Sequence, residues 1–144
     1  MARQYWISGD FGARSREEKV IRICQRAVEV DPEYPQAWAL MGIAQANLRY
    51  GFTGIVCTDD GSAAAERALG LDPAIAEAHL PKAWHLAEQG RHDEANAEID
   101  TALRLGPDSW EVNKEAARLF YRQQRLEDAA RHLEKATQVM ETDF

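Results

Sequence analysis

The chain has 144 residues, 45% hydrophobic and 28% charged, which is the composition of one ordered domain with a sizeable core. Its formal net charge of -7 argues against a nucleic-acid partner, because phosphate binding needs lysine and arginine gathered on one face. No stretch approaches the roughly 20 apolar residues needed to cross a bilayer, and the opening MARQYWISGD has no apolar signal core; a cytoplasmic protein with no membrane partner is expected.

Residues 1–8 read as a short helix ended by Gly9-Asp10-Phe11-Gly12. Asp10-Phe11-Gly12 spells the magnesium-binding triplet of protein kinases, but no strand lysine or catalytic-loop motif accompanies it. Ser15 with Glu18 makes a capping box that starts a second helix. Its inward face is Val20, Cys24 and Ala27, and Asp31-Pro32 stops it. Cys24 on that face reads as a packed thiol, and Cys57 has no metal-ligand spacing to it. Pro35 opens the next helix, which runs to about Tyr50. The segment from Gly51 to Gly61 is irregular, with Phe52, Ile55 and Val56 among its glycines, and either extends a helix or tucks as a loop. Pro81 lies inside the following helical stretch, where a bend is expected. Gly90 allows the turn that ends it. A last pair begins at Asp108, a plausible N-cap with Glu111 three residues on, and carries Gln124 where the previous turn has glycine.

The helices are not independent. Residues 95–107, ANAEIDTALRLGP, have counterparts at 20–32, 61–73 and 129–141. A shared alanine marks them: Ala27 to Ala68 is roughly 41 residues, and the steps to Ala102 and Ala136 are each about 34, the period of a helix-turn-helix repeat. The wording resembles the tetratricopeptide repeat. Trp38, Met41 and Gly42 carry the first half of its signature, with the small residue recurring as Ala83 and Ala117. Ala95, Ile99, Ala102 and Pro107 carry the second half, as do Ala129, Leu133 and Ala136. His79 and Asn113 replace the aromatic, Lys82 replaces an apolar residue, and Glu141 replaces the last proline.

That resemblance implies an all-α fold: an α-solenoid of about four antiparallel helix-turn-helix repeats, wound as a right-handed superhelix with a concave groove. One array would span residues 1–144, with repeats near 1–34, 35–75 (with an insertion near 51–60), 76–109 and 110–144. The segments DPEYPQAWALMGIAQANL, AAAERALGLDPAIAEAH and GRHDEANAEIDTALRLGP also resemble the repeat region that follows the catalytic domain of some bacterial adenylate or guanylate cyclases. A regulatory or oligomerising segment of a larger signalling protein is therefore the alternative to a peptide- or protein-binding scaffold.

By the same resemblance, the groove would be lined by Gln36, Ala39, Ile43 and Asn47 from the second repeat. The third would add Glu77, Leu80, Trp84 and Glu88, and the fourth Glu111, Lys114, Arg118, Tyr121 and Arg122. Trp84 either anchors a ligand side chain or fills space between repeats. Lys114, Arg118 and Arg122, spaced by four, stack on one face and suit an acidic peptide or a free carboxylate, although Glu111 and Glu115 are near enough to neutralise part of the stripe. The carboxylate clamp of chaperone-binding relatives is not spelled, since Ile43 and Trp84 stand where it needs polar groups. The four histidines show no HExxH motif, and there is no phosphate-binding glycine loop, so no catalytic residue, metal or cofactor is expected. Val139, Met140 and Phe144 at the array's end suggest a homodimer formed there.

Overall fold

The computed structural model describes residues 2–51 and 59–142, with side chains from residue 14 to 51 and from 59 to 141. The regular elements there are all helical: α1 (Ala2–Val30), α2 (Pro35–Tyr50), α3 (Ser62–Leu71), a short 3-10 helix (Ala76–His79), α4 (Leu80–Glu88), α5 (His92–Leu105), α6 (Trp110–Arg122) and α7 (Leu126–Thr142). Each packs on its chain neighbour as α1 on α2, α2 on α3, α4 on α5 and α6 on α7, while α2, α4 and α6 stand side by side. The fold is an α-solenoid of helix-turn-helix repeats, as the period implied.

Small residues set the spacing of the stack. Ala68, Ala83 and Ala102 are wholly buried, and Ala136 nearly so. Ile43, Ala76, Leu80, Ala102 and Val112 form one apolar cluster that ties three repeats together. One close approach is between Gly42 of α2 and Gly61 at the head of α3: a β-carbon on Gly61 would run into the Gly42 carbonyl, and Gly61 has φ of 88°. Glycine meets both demands at once.

Four local features depart from the sequence reading. α1 is one unbroken helix through Gly9–Gly12, and Ser15 lies exposed within it instead of capping a second helix. Glu18 accordingly pairs with Arg14 one turn back, at 3.3 Å. Glycine in a helix costs only about 1 kcal/mol against alanine, so it weakens a helix without ending it. Second, the stretch around Pro81 is a 3-10 helix followed by an α-helix, which leaves Pro81 in the first turn of α4, where its missing N–H is no loss. Third, the N-cap of α6 is Ser109, one residue after Asp108; its hydroxyl accepts from the Val112 N–H at 3.3 Å. Fourth, Ala27 is only half-buried, whereas Cys24 is buried and its thiol is pushed up by that burial. Gln124 occupies the left-handed region at φ 62°, matching Gly90 at 76° in the preceding turn. Residues 52–58, with Phe52, Ile55, Val56 and Cys57 among them, and Phe144 lie outside the described residues. Among those described, no helix is long and apolar enough to cross a membrane.

Candidate partner-binding groove

The inner faces of α2, α4 and α6 meet at a buried carboxylate. Glu115 of α6 is wholly inaccessible, and both of its oxygens are used. The Asn47 side-chain amide donates to Oε1 at 3.1 Å and the Trp84 indole N–H to Oε2 at 3.0 Å. Lys114 Nζ lies 3.3 Å from Oε1, and Arg118 Nη1 lies 3.3 Å from Oε2. Three helices are thus pinned to one anion, which is tolerable in a dry interior only because charged and neutral donors surround it. Arg118 passes closely over the end of α2: a β-carbon at Gly51 would lie 2.8 Å from Arg118 Nη2. Glu17 of α1 also reaches this region and is buried. Burial pushes its carboxyl above the ordinary range, Glu115 adds to the rise, and Lys114, Asn47 and Arg16 only partly offset it.

A second polar cluster joins the end of α2 to the start of α3 and to α4. The Tyr50 hydroxyl lies 2.8 Å from His85 Nδ1 and 3.3 Å from Asp60 Oδ2, while Asp60 Oδ1 accepts from the Ser62 N–H at 2.9 Å. Burial and the Asp60 charge push the Tyr50 phenol up to about 12. Burial also acts upward on Asp60, but hydrogen bonds from Ser62 and Tyr50 outweigh it and hold this carboxyl low. The cluster fastens the start of α3 to α2 and α4, with Asp60 an acid at the head of that helix.

Between these two anchors and α7 lies an open hollow of about 900 Å³. Its floor is small and apolar, with Ala117 of α6 and Ala129 and Ala130 of α7. Its apolar walls are Tyr121, Leu126 and Leu133, which are 65%, 55% and 57% exposed although each is large. At its head stand Arg49, Arg118 and Arg122, with Glu88 the one carboxylate among the lining residues. The guanidiniums of Arg118 and Arg122 both lie over the Trp84 ring, 5.2 and 5.3 Å from its centroid, and Arg122 donates to Glu88 at 3.2 Å.

The residues expected in a groove are divided among four places. Trp84, Glu88, Arg118, Tyr121 and Arg122 surround this hollow. Ile43 and Leu80 are buried in the apolar core, and Asn47 is buried against Glu115. Gln36 is exposed and lines a separate hollow of about 210 Å³ with Ala39, Glu77 and Glu111. Lys114 is turned to Glu115 and lies 4.5 Å above the Trp110 ring. Trp84 is 1% exposed, so it fills space between repeats and offers the hollow little more than a platform for the two arginines. The basic stripe is largely satisfied from within. Leu126, Ala129, Ala130 and Leu133 are not among the residues expected in the groove, although Leu126, Leu133 and Met140 recur every seventh position on α7 and form a stripe visible in the sequence.

A family profile described as "Tetratricopeptide repeat" matches residues 58–109 and again 80–139, more than half of the chain. The chain belongs to the tetratricopeptide repeat family. Tetratricopeptide folds generally mediate protein-protein contacts, and the family is typically not enzymatic. Among solved structures, TTC0263, a thermophilic tetratricopeptide protein of Thermus thermophilus, is similar with a TM-score of 0.55 and 22% identity over 82% of this chain; the match spans 62% of that protein, just under two thirds of its length. A structure titled MamA MSR-1 C2 has a TM-score of 0.49 at 18% identity over 97% of this chain and 73% of that one. A crystal structure of MamA has a TM-score of 0.47 at 17% identity, covering 85% and 68% of the two chains. No curated protein matches the sequence.

The repeat register explains why the hollow is there. Ile99 of α5 and Leu133 of α7 occupy the same motif position, about 34 residues apart. Ile99 is wholly buried, in a cluster with Ala116, Leu119 and Phe120 of α6, the helix that follows it. Leu133 is more than half exposed. Among the described residues, the same position is covered by a helix in one tetratricopeptide repeat and exposed in the next.

Proposed function

We propose that this tetratricopeptide chain is a protein-binding module whose groove along α6 and α7 receives an amphipathic helix from a partner protein. The observation that carries this reading is the exposed Leu133, in the register where Ile99 is covered by α6. Helical walls expose no row of backbone donors and acceptors, so an extended segment laid on them leaves its own amides unpaired against apolar side chains. A helix satisfies its backbone internally, and the alanine floor lets it approach closely. The stripe from Leu126 to Met140 is about 21 Å long at 1.5 Å per residue, enough for roughly four turns. A peptide or protein ligand of this kind needs no cofactor.

A displayed library of amphipathic helices, each of about four turns, tests the reading on the purified protein. Binders are expected that are lost with Leu133→Asp and kept with Lys82→Glu on the opposite side of the third repeat. A library that yields no binder sensitive to Leu133 contradicts the proposal. Light scattering separates the competing occupant, a second copy of the chain: a dimer that Leu133→Asp dissociates would show that the groove serves self-association.

A further inference from the structure

We propose that Glu88 stands in for a partner's carboxylate: it holds Arg122 over Trp84 until an acidic side chain on the docked helix takes its place. This rests on the groove reading above and adds the chemistry and orientation of the ligand. Of the arginines lining the groove, Arg118 is neutralised by Glu115 and Arg122 is held by the exposed Glu88, so departure of Glu88 is a local reversal of sign at the head of an apolar groove, in a chain whose formal charge is -7. Such a reversal favours an acidic partner residue there and sets which end of the helix it must occupy.

The two stacked arginines differ in what holds them. Arg118 is paired with Glu115, which is wholly buried and shared with Trp84 and Asn47, so that pair cannot be exchanged without opening the core. Arg122 donates one hydrogen bond to Glu88, and the two side chains are 46% and 49% exposed. An exposed pair of this sort contributes little, and Glu88 can leave by changing rotamer. The indole beneath Arg122 is itself fixed by its bond to Glu115, so the guanidinium is already oriented and the donor that holds Glu88 passes to the incoming carboxylate when Glu88 leaves. Glu88 and the ligand therefore compete for one cation, and the bound state exchanges one carboxylate for another.

The experiment uses helices recovered from the library, synthesised with amidated C-termini, with dissociation constants measured by fluorescence anisotropy. The inference expects an Asp or Glu beside one end of the apolar stripe in the recovered sequences. Glu88→Gln should tighten their binding about two- to fivefold by removing the competitor, and Arg122→Gln should weaken it by a similar factor. In the Arg122→Gln background, Glu88→Gln should have no further effect. Replacing the peptide's acid by its amide should also remove the Glu88→Gln gain. Thermal melts confirm that both variants fold, as expected at exposed positions. If Glu88→Gln leaves affinity unchanged or lowers it while Leu133→Asp still abolishes binding, the stand-in role is overturned and the groove reading survives. If a free C-terminal carboxylate restores binding to the amide peptide with the same Glu88 dependence, the anion is a chain end and the side-chain form is overturned. Should Leu133→Asp leave binding intact, both fail together.

Discussion

Replacing Glu115 by alanine tests the buried anion that joins the three inner helices. The substitution removes the acceptor of the Trp84 indole N–H and of the Asn47 amide, residues 1% and 0% exposed, so water cannot substitute. Each stranded donor costs about 1–3 kcal/mol. Lys114 and Arg118 lose their partner as well, but at 20% and 35% exposure they can turn partly to solvent and add less. The sum agrees with the roughly 3–5 kcal/mol typical of breaking a buried pair from one side, a large part of the about 5–15 kcal/mol that holds a domain together. Urea titration followed by far-ultraviolet circular dichroism gives the change as a shift in midpoint at constant slope. Glu115→Gln, which keeps one carbonyl oxygen, should fall between wild type and Glu115→Ala. A Glu115→Ala protein within about 1 kcal/mol of wild type would refute the assignment of Glu115 as the joint of the three helices.

Three further predictions concern the scaffold. Gly61→Ala places a β-carbon against the Gly42 carbonyl at a positive φ, so it should destabilise by about 2–4 kcal/mol, read as a lower urea midpoint. Gln124→Gly relieves the left-handed conformation at φ 62° and should raise stability by about 1 kcal/mol in the same assay. Because burial raises the Glu17 carboxyl in the folded protein, the native state holds that proton to higher pH than the unfolded chain does. Its contribution is therefore full below the ordinary carboxylate range and is lost as pH rises through the raised native value. Glu17→Gln should flatten this decline, and its advantage over wild type should grow from acid to neutral pH; an advantage that shrinks would reverse the sign.

The fold is readable in the sequence because alanines at a fixed interval report a physical requirement, that each second helix packs closely on the first-helix segments beside it. Ala68, Ala102 and Ala136 are as buried as that requires. The continuity of α1 is not readable, since Gly9 and Gly12 weaken a helix without stopping it as proline does. At the site, charge misleads. Lys114, Arg118 and Arg122 look like a free basic stripe, but two of them serve Glu115 and the third is held by Glu88. Glu115 itself lies three residues after Val112 and four before Leu119, both core residues, so its place on the inward face is available from spacing alone. Leu133 reads by its motif as a packing residue, and what sets it apart from Ile99 is whether a helix covers it, which no local pattern encodes.

Methyl-detected nuclear magnetic resonance of the complex with a library-selected helix addresses the groove most directly. The account predicts the largest shifts at Leu126, Leu133 and Met140, with little change at Leu69 and Leu105 on α3 and α5. Shifts centred on α3 and α5, with Leu133 unmoved, would contradict it.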